Sequence, residues 1–120
     1  MIYRAGKGEL MEEERRVHRR VPLLVEVAWE GATGKYEART SDVSTTGCFI
    51  DTIGRAAAGE TIRFTVRLPA GDWIKLQGEV IYEQRGMGFG VRFTNLSAFD
   101  RQRLEWLVKA EGYRADKQKQ

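Results

Sequence analysis

The clearest structural signal in this 120-residue chain is the stretch Thr61-Ile62-Arg63-Phe64-Thr65-Val66-Arg67-Leu68. Apolar side chains occupy every second position, and threonine and arginine occupy the positions between them. A period of two is typical of a β-strand that buries one face and exposes the other. Because one strand cannot bury a face by itself, the flanking sequence has to supply partner strands.

Five further segments carry strand patterns, and turns separate them, including a loop at 42–47. These segments lie at 22–30, 36–41, 48–50, 74–82 and 89–93. The inward face of the longest segment is predicted to comprise Ile74, Leu76, Gly78, Val80 and Tyr82. Six short strands favour an antiparallel β-barrel, since closure removes the exposed edges of so small a sheet.

The C-terminal part of the chain has the pattern of a helix. Ser97 and Asp100 have the spacing of a capping box, and leucine and valine recur at helical spacing over residues 104–108. Gly112 stands where a C-terminal cap would, which predicts a helix of about 14 residues. The apolar stripe of this helix either closes one end of the barrel, which we favour, or docks on a partner.

Composition narrows the classes of function. Twenty lysines and arginines against 17 acidic residues give a net charge of +3, which favours an anionic partner. One cysteine, Cys48, and one histidine, His18, leave little material for nucleophilic catalysis or a metal site, so we expect no enzyme, metal or cofactor. Without a long apolar run or a signal peptide, the chain is predicted to be cytoplasmic and not inserted in a membrane.

Two polar stretches are poorly explained by folding alone. The first, 14–22, contains four arginines, and the second, 42–47, reads Asp-Val-Ser-Thr-Thr-Gly. Twenty-one residues separate Arg20 from Asp42, enough for one hairpin to bring them together. Taken singly, the arginines can be a solvated basic stretch beside the acidic run at 12–14, and the second stretch can be an ordinary Asx-type turn.

Together the two stretches resemble the PilZ family. Arg16-x-x-x-Arg20 is similar to the arginine motif of that family, and Asp42-x-Ser44-x-x-Gly47 is similar to its second motif. Leu68-Pro69 and the segment Gly88–Phe93 resemble further landmarks, so the likeness covers roughly residues 14–110. It implies a mostly β domain at 14–112, a six-stranded antiparallel PilZ-type barrel with a C-terminal helix. A mobile leader at 1–13 would precede this domain, and a polar tail at 113–120 would follow it.

The resemblance implies a receptor for the bacterial second messenger cyclic di-GMP. Arg16 and Arg20 suit the phosphates and the Hoogsteen edge of guanine, since a guanidinium fork pairs with both. The Asp42 carboxylate suits the N1–H and N2–H donors of guanine. Ser44 would complete the polar rim, and Gly47 permits close backbone approach or a positive φ. In the family, the position of Arg15 is linked to binding of one ligand or a stacked pair.

We expect the protein to signal by a change in the position of its N-terminal leader. Ligand would clamp the leader against the barrel and so signal to a downstream protein that the sequence does not identify. Two other classes compete with this reading: a PilZ-fold adaptor that binds no nucleotide, and a small barrel that binds RNA or DNA. Both motifs are present, which argues against the adaptor, and the strands carry no cluster of exposed aromatic residues, which argues against nucleic acid. The oligomeric state stays open.

Overall fold

The computed structural model describes residues 20–68 and 70–118, with side chains of the terminal helix described as far as Gly112. This part of the chain forms seven strands and one helix. The strands are β1 (Val21–Pro22), β2 (Glu26–Gly31), β3 (Gly34–Val43), β4 (Gly47–Asp51), β5 (Thr61–Arg67), β6 (Trp73–Gln84) and β7 (Gly88–Thr94). The helix α1 runs over Ala98–Gln118.

The sheet closes on itself. Its strand order is β3-β2-β5-β6-β7-β4, every pair is antiparallel, and β4 pairs back onto β3. The predicted six-stranded antiparallel barrel with a C-terminal helix is therefore confirmed. The short strand β1 adds a two-residue ladder to the far end of β3, in which Val21 faces Val43 and Pro22 faces Asp42.

The barrel interior follows the alternation seen in the sequence. On β5, Ile62, Phe64 and Val66 are each no more than 4% exposed. Trp29 is 1% exposed, stacked on Tyr36 with ring centroids 4.6 Å apart and edge-on to Phe89 at 4.9 Å. Burial of such aromatic side chains supplies much of the stabilisation of a small core.

The helix packs on the barrel, as favoured from the sequence. The Ser97 hydroxyl accepts a hydrogen bond from the Asp100 amide at 3.0 Å, which is the predicted N-terminal cap. Leu104 and Val108 join the hydrophobic core of the barrel. The predicted end at Gly112 is wrong, because α1 continues through this buried glycine to Gln118. A glycine inside a helix costs only about 1 kcal/mol relative to alanine, an amount that packing of the helix face can offset.

The prediction for the inward face of β6 holds for four residues and is wrong for Tyr82. The register shifts between Val80, which faces Val91, and Tyr82, which faces Gly90. The extra residue, Ile81, forms a β-bulge, and a bulge reverses the side to which the following side chains point. Tyr82 is therefore 46% exposed on the outer face of the barrel.

Candidate functional site

The two sequence motifs meet at the far end of β3. Arg20 directly precedes β1, and the ladder of β1 on β3 places it beside Asp42. The Arg20 guanidinium donates a hydrogen bond from Nη1 to Oδ1 of Asp42. The arginine side chain is 46% exposed and the aspartate side chain 34%. One hairpin thus brings these residues together, as the spacing predicted, and leaves both accessible from solvent.

A β-bulge turns the Asp42 carboxylate outward. Thr40 is fully buried, so strict alternation would place Asp42 on the same inner face. The register shifts between Thr40, opposite Ile50, and Asp42, opposite Phe49, which leaves Ser41 as the extra residue. The predicted loop at 42–47 is correspondingly too long, since β3 runs to Val43.

Ser44 holds the tight turn between β3 and β4. Its hydroxyl oxygen accepts hydrogen bonds from the amides of Thr46 and Gly47, both at 3.1 Å. The Ser44 amide in turn donates to the Gly47 carbonyl at 2.8 Å. Ser44 is 1% exposed, and the turn that it holds begins two residues after Asp42. A contact from Ser44 to ligand stays a prediction.

Gly47 lies where the backbones of β4 and β7 approach closely. A Cβ atom at this position would lie 2.1 Å from the carbonyl oxygen of Val91, far inside contact distance. Close backbone approach therefore explains this glycine of the motif. Directly opposite Gly47 in the register stands Arg92, whose guanidinium donates to Glu79 at 2.6 Å. Sequence reasoning did not single out this additional cation.

Cys48 lies next to the site as a buried side chain. It is 1% exposed, and its pKa is raised to about 12, first by burial and then by the nearby Asp42 carboxylate. The Arg20 guanidinium opposes this shift. Because the thiol stays protonated at neutral pH, it has no nucleophilic character in the folded protein.

Several predicted features lie outside the described residues. They are Arg15 and Arg16, together with the leader at 1–13. Within the described residues, no group of three or more His, Cys, Asp or Glu side chains could hold a metal ion. Over the same part of the chain, no helix has both the length and the apolar character needed to cross a membrane.

Comparison with protein families gives a match to the PilZ domain over residues 14–110. Among solved structures, the complex of Escherichia coli YcgR with c-di-GMP superposes with a TM-score of 0.71 at 16% identity, covering 87% of this chain and 49% of that one. Bacillus subtilis MotI/DgrA, an inhibitor of motility, superposes with a TM-score of 0.67 at 18% identity, covering 80% and 50%.

A third structure, the PilZ domain of CeSA from a cellulose-synthesising bacterium, has a TM-score of 0.60 at 19% identity, covering 77% of this chain and 96% of that domain. The present chain thus spans about half the length of YcgR and MotI but nearly all of an isolated domain. The superpositions establish a shared fold, and at these low identities they establish nothing further. A search of curated proteins found no match.

Proposed function

Because this chain belongs to the PilZ domain family, we propose that it is a receptor that binds cyclic di-GMP and carries out no chemistry on it. The ligand contacts come from the arginine segment 15–20 and from the turn segment 42–47. The observation that carries this proposal is the meeting of Arg20 and Asp42, one from each segment, on the outer face of the barrel.

The chemistry of this pair suits a guanine dinucleotide. In the free protein the Arg20 guanidinium satisfies the Asp42 carboxylate. In the complex, a phosphate or the O6/N7 edge of guanine takes the place of the carboxylate as the partner of Arg20. Asp42 then accepts from the N1–H and N2–H donors of a guanine. The exchange replaces one charge-assisted interaction by two, which favours binding.

The rest of the site supports this assignment. The turn held by Ser44 and the close approach at Gly47 fix the backbone beside Asp42, so little ordering is needed at that side of the site. Arg16 and Arg15 would supply further cation to the phosphates from the segment before Arg20. YcgR, which shares this fold, forms a complex with c-di-GMP.

Calorimetric titration tests the proposal directly. We expect cyclic di-GMP to bind the purified chain with a Kd of micromolar order or tighter, about −8 kcal/mol. GMP and cyclic di-AMP are the matched controls, and both should bind more weakly because GMP has one guanine and adenine lacks the N1–H and N2–H donors. The fitted stoichiometry shows whether one ligand or a stacked pair is bound, a difference that is linked in the family to the position of Arg15. Absence of heat and of thermal stabilisation would favour a protein-binding adaptor instead.

Binding is proposed to reorder the arginine segment and to couple it to a protein partner. Arg20 connects that segment to β1, so a ligand held by both motifs ties residues 1–20 to the barrel. Proteolysis by a glutamate-specific enzyme, directed at the acidic run 12–14, should therefore slow several-fold in saturating cyclic di-GMP. The Arg20→Ala variant should gain no such protection. Equal cleavage of the wild-type chain with and without ligand would exclude this reordering.

A further inference from the structure

The outer face of the barrel carries a continuous row of positions that leads away from Asp42. Asp42 on β3 is paired with Phe49 on β4, Phe49 is paired with Gly90 on β7, and Gly90 is paired with Tyr82 on β6. The four positions therefore follow one another across four adjacent strands. Three inter-strand steps of this kind span roughly 14 Å.

The burial pattern puts this row outside the core. Cys48 and Ile50, the neighbours of Phe49, belong to the core cluster, so Phe49 points to the opposite face. Phe89 and Val91 flank Gly90 and are likewise part of the core. The bulge at Ile81 brings Tyr82 to the same outer face, where it is 46% exposed.

Gly90 allows the Tyr82 ring to lie against the backbone. A Cβ atom at position 90 would lie 2.5 Å from Cε1 of Tyr82 and 2.8 Å from its Cζ. The ring of Phe49, which is only 6% exposed, supports Tyr82 from the side of Asp42, with ring centroids 6.0 Å apart. The row therefore ends in the accessible ring of Tyr82, which lies directly on the backbone of Gly90.

We propose that Tyr82 is a base-stacking residue of the ligand site, on which the second guanine of the dinucleotide rests. This inference depends on the proposed function and extends it. Cyclic di-GMP carries two guanines on one ring of sugars and phosphates, so a ligand held at Asp42 by one base has another planar base to place. Tyr82 offers a π-surface on the same face of the barrel, and aromatic side chains stack on nucleobases without reading their edges.

The competing explanation is that Tyr82 only covers Phe49. Variants that separate shape from aromaticity decide between the two. Tyr82→Leu keeps an apolar side chain over Phe49 but removes the ring, whereas Tyr82→Phe keeps the ring and removes the hydroxyl. Trp73→Ala is the matched control, since Trp73 is a similarly exposed aromatic residue, 49%, at the other end of the same strand.

Calorimetry with cyclic di-GMP should give a Kd about tenfold weaker for Tyr82→Leu and a Kd within about twofold of wild type for Tyr82→Phe and Trp73→Ala. In NMR spectra of the wild-type chain, the Tyr82 ring protons should shift on ligand addition. Wild-type affinity of Tyr82→Leu, or an unshifted Tyr82 ring, would overturn the stacking role and leave the receptor function intact. A wild-type chain that binds no cyclic di-GMP would overturn both.

Discussion

Replacement of Asp42 or Arg20 by alanine is expected to weaken cyclic di-GMP binding between about 10- and 100-fold. Each substitution removes a charge-assisted contact, the carboxylate from the guanine edge or the guanidinium from phosphate or the Hoogsteen edge. Each substitution also leaves one polar group of the bound ligand without its hydrogen-bond partner on the protein. Calorimetric titration of both variants beside the wild-type chain measures the effect.

The same substitutions should leave the fold intact. The ion pair between Arg20 and Asp42 is 46% and 34% exposed, and pairs this accessible contribute at most about 1 kcal/mol. The barrel offers a matched pair away from the site, in which Arg67 donates to Glu26 at 2.7 Å. Arg67→Ala should bind cyclic di-GMP with wild-type affinity. An equal loss in Arg67→Ala would indicate general electrostatic attraction, and undiminished binding by Asp42→Ala would remove the proposed site.

The closed barrel was predictable because alternation reports directly which face of a strand is buried. The pattern of β5 has no interruption, and its three inward residues were assigned correctly. The same reasoning failed for Tyr82, because a bulge adds one residue and no turn residue in the sequence marks the bulge at Ile81. Asp42 was predicted in a loop for a related reason, since the bulge at Ser41 breaks the alternation before β3 ends.

The members of the site were predictable as residue types, but their individual structural roles were not. The pattern Asp-x-Ser-x-x-Gly indicated a turn, yet it did not reveal that Ser44 accepts two amide hydrogen bonds. The length of α1 was underestimated because Gly112 has the local preference of a cap, whereas the helix is held by packing on the barrel. The alignment of Phe49 and Gly90 with Asp42 could not be predicted from the sequence, because it arises only from the register of the paired strands.

Gly47→Ala should strongly destabilise the barrel beside Asp42. The added Cβ would lie 2.1 Å from the Val91 carbonyl oxygen and 3.3 Å from the Cα of Arg92, both backbone atoms of the paired strand β7. A clash with backbone can be relieved only by separating β4 from β7, which opens the barrel beside Asp42. We expect the free energy of unfolding to fall by about 3 kcal/mol, at the upper end of the usual cost of overpacking.

Urea denaturation of Gly47→Ala and Gly90→Ala checks this prediction with a matched pair. Both glycines lie on paired strands, but the three heavy atoms nearest to a Cβ at Gly90 all belong to the ring of Tyr82, a half-exposed side chain that can rotate away. The loss of unfolded-chain entropy on replacing glycine also offsets part of that strain, so Gly90→Ala should change the unfolding free energy by less than about 1 kcal/mol. Equal urea midpoints for the two variants would contradict the prediction, because they would show that the close approach of β4 and β7 at Gly47 does not exclude a Cβ atom. A large loss confined to Gly47→Ala would instead identify the glycine of the second motif as a requirement of barrel closure, separate from any contact with ligand.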